Sequence, residues 1–129
     1  MKLGYIILYV ADVPATVAFY ERAFGLACRF SHENQYAEME TGGTALAFAD
    51  EAFVATSGVM FKPNRASDAA AGAEIGLVCD DVQAAFNRAI AAGAEAAVPP
   101  RRKPWGQTVS YVRDRNGFLV EICSTMLAG

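Results

Sequence analysis

Histidine is almost absent from this sequence, since His32 is the only one among 129 residues. A serine or cysteine nucleophile activated by histidine, or a metal centre built on several imidazoles, needs histidines beside its other members. His32 falls in a turn predicted after the second strand, with no nucleophile motif around it. The sequence therefore argues against nucleophilic catalysis.

Cysteines and basic residues are also few. Cys28, Cys79 and Cys123 match no zinc or redox spacing and lie in apolar strand patterns, so we interpret them as small core residues in a reducing compartment. The net charge of −3 disfavours nucleic acid as a partner. The one basic cluster, 101–103, stands among prolines and is interpreted first as a solvated loop and second as an anion contact.

Long apolar runs and phosphate-binding loops are missing as well. The apolar run 3–10 is too short to cross a bilayer and does not have the pattern of a signal peptide. Gly42-Gly43 fits a hairpin turn and not a phosphate cradle. We therefore expect a cytoplasmic protein without a membrane partner, and the 53% hydrophobic content is enough for one domain with a substantial core.

The sequence does contain an internal repeat. Residues 4–26 are typical of a strand followed by a helix that begins after Asp12 and stops at Gly25. Residues 74–94 repeat this order with Asp81 and Gly93, and Asp81 follows Asp12 by 69 residues. A repeat of this length indicates two copies of one supersecondary unit.

Three strand-like runs follow each helix, at 26–30, 35–40 and 44–49, and again at 95–98, 107–113 and 118–124. The prediction is one α+β domain of two βαβββ modules, with module 1–50, linker 51–73 and module 74–129. The linker carries Phe53 and Phe61, which either pack against the edge of a sheet or close over a ligand.

Glu121 is the unusual residue of the last strand. By alternation it shares a face with Leu119 and Cys123, so it is either a solvated glutamate on a half-exposed strand or a functional carboxylate. The repeat relates Tyr5 to Glu74, and matching the hairpin glycines relates Ala47 to Glu121. If the halves pack about a pseudo-two-fold axis, these four positions converge in one cleft.

The segments ADVPATVAFYERAFGL and VRDRNGFLVEI, together with the repeat, resemble the vicinal oxygen chelate superfamily. Glyoxalase I, bleomycin-resistance proteins and extradiol dioxygenases have this fold. The resemblance covers essentially the whole chain, and it implies paired βαβββ modules forming an open, barrel-like cleft, usually within a homodimer.

Metal-using members of that superfamily hold a divalent ion at the four equivalent strand positions, typically with His or Gln, Glu, His and Glu. Glu121 matches the last of these, whereas Tyr5, Ala47 and Glu74 depart from the other three. A tyrosine hydroxyl keeps its proton at pH 7 and alanine offers no ligand atom. We therefore predict no cofactor, or at most a weakly held divalent ion on Glu74 and Glu121.

Without a metal, two carboxylates facing one cleft repel each other and attract a cation. We hypothesise that Glu74 and Glu121 bind a cationic or hydrogen-bond-donating group of a small ligand, with Tyr5 as a third polar contact. Alternatively, Glu74 is simply solvated at the start of its strand, and Tyr5 is a core aromatic. Both alternatives stay open at this point.

Further candidate ligand contacts come from the second half and the linker. Trp105 is predicted to form a wall at the mouth of the cleft, although a tryptophan that covers the core fits the pattern equally well. Ser110 is predicted to face Glu121 across the last hairpin. Phe53 and Phe61 are weaker candidates.

Three functions fit these observations. The favoured hypothesis is a bleomycin-resistance-like module that binds a small cationic or aromatic molecule without the usual metal centre. The second is a lyase, isomerase or dioxygenase-type enzyme that uses Glu121, Glu74 and Tyr5 as its catalytic residues. The third is a dimeric interaction domain that retains the fold alone.

Overall fold

The computed structural model of the chain describes residues 1–126. The chain divides into two compact units, the first covering Met1–Asn64 and the second beginning at Arg65. None of the helices in residues 1–126 has the length and apolar character that crossing a membrane requires.

Unit 1 folds as βαβββ followed by a short helix. Its elements are β1 (Tyr5–Val10), α1 (Val13–Phe24), β2 (Cys28–His32), β3 (Tyr36–Met39), β4 (Ala45–Asp50) and α2 (Glu51–Ala55). The strands form one mixed sheet in the order β1-β4-β3-β2, in which β4 is parallel to β1 and antiparallel to β3.

Unit 2 repeats the βαβββ order. Its elements are β5 (Glu74–Val78), α3 (Val82–Ala91), β6 (Glu95–Arg102), β7 (Thr108–Arg113) and β8 (Leu119–Cys123). The sheet order is β5-β8-β7-β6, with β8 parallel to β5 and antiparallel to β7. The predicted α+β class and its two βαβββ repeats are confirmed.

The two long helices begin in the same way. The Asp12 carboxylate accepts a hydrogen bond from the Ala15 amide at 3.0 Å, and the Asp81 carboxylate accepts one from the Ala84 amide at 3.0 Å. Each cap satisfies an amide that the helix leaves unpaired and contributes about 1 kcal/mol. The helix α1 ends at Gly25, which adopts a left-handed conformation with φ of 69°.

One face of each sheet is closed by its helix. In unit 1, Tyr20 of α1 packs on Phe48 of β4 with ring centroids 4.8 Å apart, and both are fully buried. In unit 2, Val112, Val120 and Ile122 alternate toward α3 and are at most 2% exposed. The opposite faces carry the polar side chains considered next.

The structure adds detail to the predicted elements at three places. The segment predicted as the linker contains helix α2, in which the Asp50 carboxylate caps the Phe53 amide at 3.0 Å. The strand β6 extends through Arg101 and Arg102 of the basic cluster, since a strand at a sheet edge tolerates Pro99 and Pro100 at its irregular register. The strand β2 begins two residues later than predicted, at Cys28.

Candidate functional site

The register of unit 2 places Glu121 between two neighbours of very different size. Glu121 of β8 pairs with Gly76 of β5 on one side and with Tyr111 of β7 on the other. Paired residues on adjacent strands point to the same face of a sheet. We call this face, formed by Glu74, Gly76, Tyr111, Arg113 and Glu121, the open face of unit 2.

The two oxygens of the Glu121 carboxylate have different surroundings. The Tyr111 hydroxyl donates a hydrogen bond to Oε1 at 3.2 Å, and both residues are half-buried. Oε2 lies 3.6 Å from the point that a Cβ atom would occupy at Gly76. Tyrosine therefore orients the carboxylate from one side, and the glycine on the other side has no side chain to cover it.

Glu74 brings a second carboxylate to the open face. Glu74 lies two residues before Gly76 on β5, so it is a diagonal neighbour of Glu121. The Cα atoms of diagonal neighbours in a sheet are typically roughly 7–8 Å apart. Glu74 is exposed, and desolvation by the neighbouring groups together with the charge of Glu121 raises its pKa. In the described part of the chain, neither carboxylate forms an ion pair with a lysine or arginine.

The negative charge of Glu121 raises the pKa values of two neighbouring side chains, Tyr111 and Cys123. Burial, the hydrogen bond to Glu121 and the charge of that carboxylate all raise the pKa of Tyr111. Burial and the Glu121 carboxylate raise the pKa of the Cys123 thiol to about 11. Tyr111 therefore stays protonated as a hydrogen-bond donor, and Cys123 is a protonated, buried thiol at neutral pH.

The corresponding face of unit 1 is electrostatically compensated. Ala47, the counterpart of Glu121, pairs with Ile7 and with Glu38. The Glu38 carboxylate accepts hydrogen bonds from the Tyr36 hydroxyl at 2.7 Å and from Arg29 Nε at 3.0 Å. The Tyr36 hydrogen bond and the Arg29 guanidinium lower the pKa of Glu38. Glu38 therefore has a cationic partner within its unit, whereas in the described part of the chain Glu121 has hydrogen-bond donors but no ion pair with a lysine or arginine.

Tyr5 and Ala47, the predicted contacts from the first half, both lie in unit 1. Tyr5 pairs with Ala45 as Glu74 pairs with Leu119, which is the equivalence that the repeat predicts. Tyr5 is 53% exposed, which is inconsistent with a core aromatic, whereas Ala47 is fully buried. The convergence of the four positions in one cleft stays a prediction.

The predicted placement of Ser110 opposite Glu121 is wrong by one residue. Ser110 pairs with Ile122, points to the face that α3 covers, and donates a hydrogen bond to the Ile122 carbonyl at 2.9 Å. The turn between β7 and β8 causes the shift, because the Asp114 amide donates to the Phe118 carbonyl and closes a loop one residue longer than a pairing of Ser110 with Glu121 requires. Tyr111 takes the place opposite Glu121.

The predicted aromatic contacts are not among the residues that form the open face of unit 2. Trp105 occupies the turn between β6 and β7, donates to Gln107 Oε1 at 2.9 Å and leaves 57% of its surface exposed. Phe61 packs edge-on against Tyr9 of β1 with ring centroids 4.9 Å apart, which supports the alternative of packing at the sheet edge. Phe53 is a partly exposed residue of α2.

Sequence reasoning missed Tyr111 and Gly76, the two residues that flank Glu121. Side chains alternate between the two faces along residues 108–112, and this places Tyr111 on the face opposite to Ser110. Only the register of the hairpin shows that Tyr111 pairs with Glu121. Gly76 could have been found from its position, since a glycine inside a strand marks either a bulge or a close approach of another group.

The residues at the four equivalent positions do not fit a transition metal. Within residues 1–126, no three His, Cys, Asp or Glu side chains cluster as such a site requires. Of these four positions, the two in unit 2 carry carboxylates and the two in unit 1 carry a phenol and a methyl group. We therefore assign no metal-dependent step to these residues.

Comparisons with known proteins agree with this architecture. The family model of the Glyoxalase/Bleomycin resistance protein/Dioxygenase superfamily matches residues 2–122. A comparison with curated proteins finds no match.

Solved structures from three bacteria share the fold. A glyoxalase-related enzyme from Fulvimarina pelagi is 22% identical with a TM-score of 0.82, covering 96% of this chain and 88% of that one. A glyoxalase/bleomycin resistance protein/dioxygenase family enzyme from Burkholderia phytofirmans PsJN is 19% identical with a TM-score of 0.77, covering 96% and 98%. A glyoxalase/bleomycin resistance protein/dioxygenase from Nocardioides is 24% identical with a TM-score of 0.72, covering 100% and 86%. With a family model that matches nearly the whole chain, this protein belongs to the glyoxalase/bleomycin resistance protein/dioxygenase superfamily.

Proposed function

We propose that the chain is a binding module for a small cationic or aromatic molecule, whose cationic group lies against Glu121 and Glu74. The observation that carries the proposal is the uncompensated Glu121 carboxylate, oriented by Tyr111 and accompanied by a second carboxylate on the same face. In unit 1 the comparable carboxylate of Glu38 already has Arg29 as its cation. A ligand cation has the same role for Glu121 in this proposal.

The electrostatics favour a cation over a neutral or anionic ligand. Desolvation and, second to it, the charge of Glu121 raise the pKa of Glu74, and a cation between the two carboxylates replaces their mutual repulsion with two attractions. Tyr111 adds an aromatic ring next to the carboxylate, which gives contact area to a flat ligand at low entropic cost. The proposal involves no metal ion.

Isothermal titration with a matched pair of probes tests this proposal. N-methylquinolinium carries a fixed positive charge on a flat ring, whereas quinoline has nearly the same shape and is neutral at pH 7.5. We expect the wild type to prefer the cation, and Glu121→Gln to lower the affinity for it about tenfold while leaving the affinity for quinoline unchanged. Glu38→Gln in unit 1 is the control and should leave both affinities unchanged. Equal binding of the cation by wild type and Glu121→Gln would reject the proposal.

A second candidate function is general acid–base catalysis by the same pair. The raised pKa of Glu74 favours it, because a carboxyl group that titrates closer to neutrality exchanges protons more effectively with a carbon acid. In 1,2-dimethylquinolinium the 2-methyl protons are acidic, and their exchange in deuterium oxide is followed by proton NMR. Catalysed exchange by wild type but not by Glu74→Gln supports an enzyme, whereas binding without faster exchange supports the binding module.

A further inference from the structure

The backbone conformation of unit 2 does not require a glycine at position 76. It lies in the middle of β5, where glycine weakens a strand because it has no side chain to pack and is flexible in the unfolded chain. Its φ lies outside the left-handed region, and the nearest atom to a Cβ built there is Glu121 Oε2, at an ordinary contact distance of 3.6 Å. Alanine would therefore fit this position of the described structure.

Gly117 shows what a structurally required glycine looks like in the same unit. Its φ is +89°, and a Cβ atom there would lie 2.7 Å from both the Arg65 carbonyl oxygen and an Arg113 guanidinium nitrogen. Both the backbone conformation and the surrounding atoms exclude a side chain at Gly117. Neither reason applies to Gly76, because its backbone conformation and its surroundings both allow a side chain.

The absence of a side chain at Gly76 leaves space beside the Glu121 carboxylate. Glu121 Oε1 accepts the hydrogen bond of the Tyr111 hydroxyl, and Oε2 lies on the side of Gly76, where no side chain of residue 76 separates it from a ligand. Glu74 precedes Gly76 by two residues on the same face and adds negative charge at the other end of this space. Gly76 is on an edge strand and is exposed, so a ligand can reach it.

We infer that Gly76 determines ligand specificity, and that the space over it is a subsite for the substituted cationic end of the ligand, bounded by Glu121 Oε2 and Glu74. This inference rests on the proposed function and specifies it further. The ligand class is an organic ammonium or iminium ion that carries an alkyl group on its charged nitrogen. A methyl group at position 76 fills the space and reduces the size of the nitrogen substituent that the subsite accepts.

The test compares probes that differ only in the substituent on nitrogen. N-methylquinolinium and N-propylquinolinium are titrated into wild type, Gly76→Ala and Gly72→Ala, a control glycine of unit 2 that also has open space and no left-handed backbone. In Gly76→Ala we expect the affinity for the propyl probe to fall about tenfold and that for the methyl probe to fall no more than about threefold. The melting temperature of Gly76→Ala should equal or exceed that of wild type. Gly72→Ala should bind like wild type.

The other results overturn the inference in distinct ways. Equal losses for the two probes, or no loss for either, would show that the space over Gly76 does not receive the nitrogen substituent. A melting temperature well below that of Gly72→Ala would show that another part of the protein packs against Gly76. If Glu121→Gln loses the cation but Gly76→Ala binds both probes normally, only the subsite is wrong. If Glu121→Gln binds like wild type, the proposed function itself is wrong.

Discussion

Replacing Glu74 with glutamine should stabilise the protein at neutral pH. The side chain is exposed, so an effective dielectric constant of about 40–80 applies, and two unit charges at the roughly 7–8 Å typical of diagonal neighbours in a sheet then repel by about 0.5–1 kcal/mol. Glutamine keeps the size of the side chain and removes this repulsion. We therefore expect Glu74→Gln to raise the free energy of unfolding by about 0.5–1 kcal/mol at pH 7 and low salt.

The pH dependence of this effect has a defined sign. The folded chain raises the pKa of Glu74, so the folded state holds this proton more tightly than the unfolded chain does. The stability associated with the protonated group is complete below the ordinary glutamate pKa and is lost as pH rises through the raised value. Glutamine never ionises, so the advantage of Glu74→Gln should be small in acid and complete at pH 7.

Urea denaturation of wild type and Glu74→Gln at several pH values measures the difference, first in 20 mM buffer and then with 0.5 M sodium chloride. Salt should reduce the advantage because it screens exposed charges. Glu33→Gln, an exposed carboxylate in a turn of unit 1, is the matched control and should change little. The reasoning is refuted if Glu74→Gln is no more stable than wild type at pH 7 and low salt, or if its advantage is independent of pH.

Two further predictions concern the groups that hold the open face of unit 2. Tyr111→Phe removes the hydrogen bond to Glu121 Oε1 and should lower the free energy of unfolding by about 1 kcal/mol in urea titrations, whereas an unchanged value would mean that water replaces the hydroxyl fully. Gly117→Ala forces a Cβ atom against the Arg65 carbonyl and a left-handed backbone, so it should destabilise the protein by about 2 kcal/mol or more; a melting temperature within a degree of wild type would contradict the described turn.

Much of the fold could be predicted because its signals are local. Asp12 and Asp81 each precede an apolar helical stripe, and the structure shows both carboxylates capping the helices that follow. Gly25 terminates α1 in the conformation that its position suggests. Hydrophobic periodicity and capping depend on residues within one turn of each other, so the sequence carries them directly.

The neighbours of Glu121 could not be predicted in the same way. Alternation groups Glu121 with Leu119 and Cys123 on one face of the strand, but the identity of its partner on β7 depends on the length of the turn between β7 and β8. An error of one residue in that turn moves Ser110 to the wrong face and hides Tyr111. Compensation of Glu38 by Arg29 likewise depends on a bulge in β2, which no local pattern specified.

The most direct test of the central claim is to locate where a cation binds. In a nitrogen-15-labelled sample titrated with N-methylquinolinium, we predict saturable shifts at the amides of Gly76, Tyr111 and Glu121, and their loss in Glu121→Gln. The amides of Glu38 and its neighbours on β3 should not move, because Arg29 already neutralises that carboxylate. Shifts confined to other parts of the chain, or the same shifts in Glu121→Gln, would contradict the claim that this uncompensated carboxylate binds a cation.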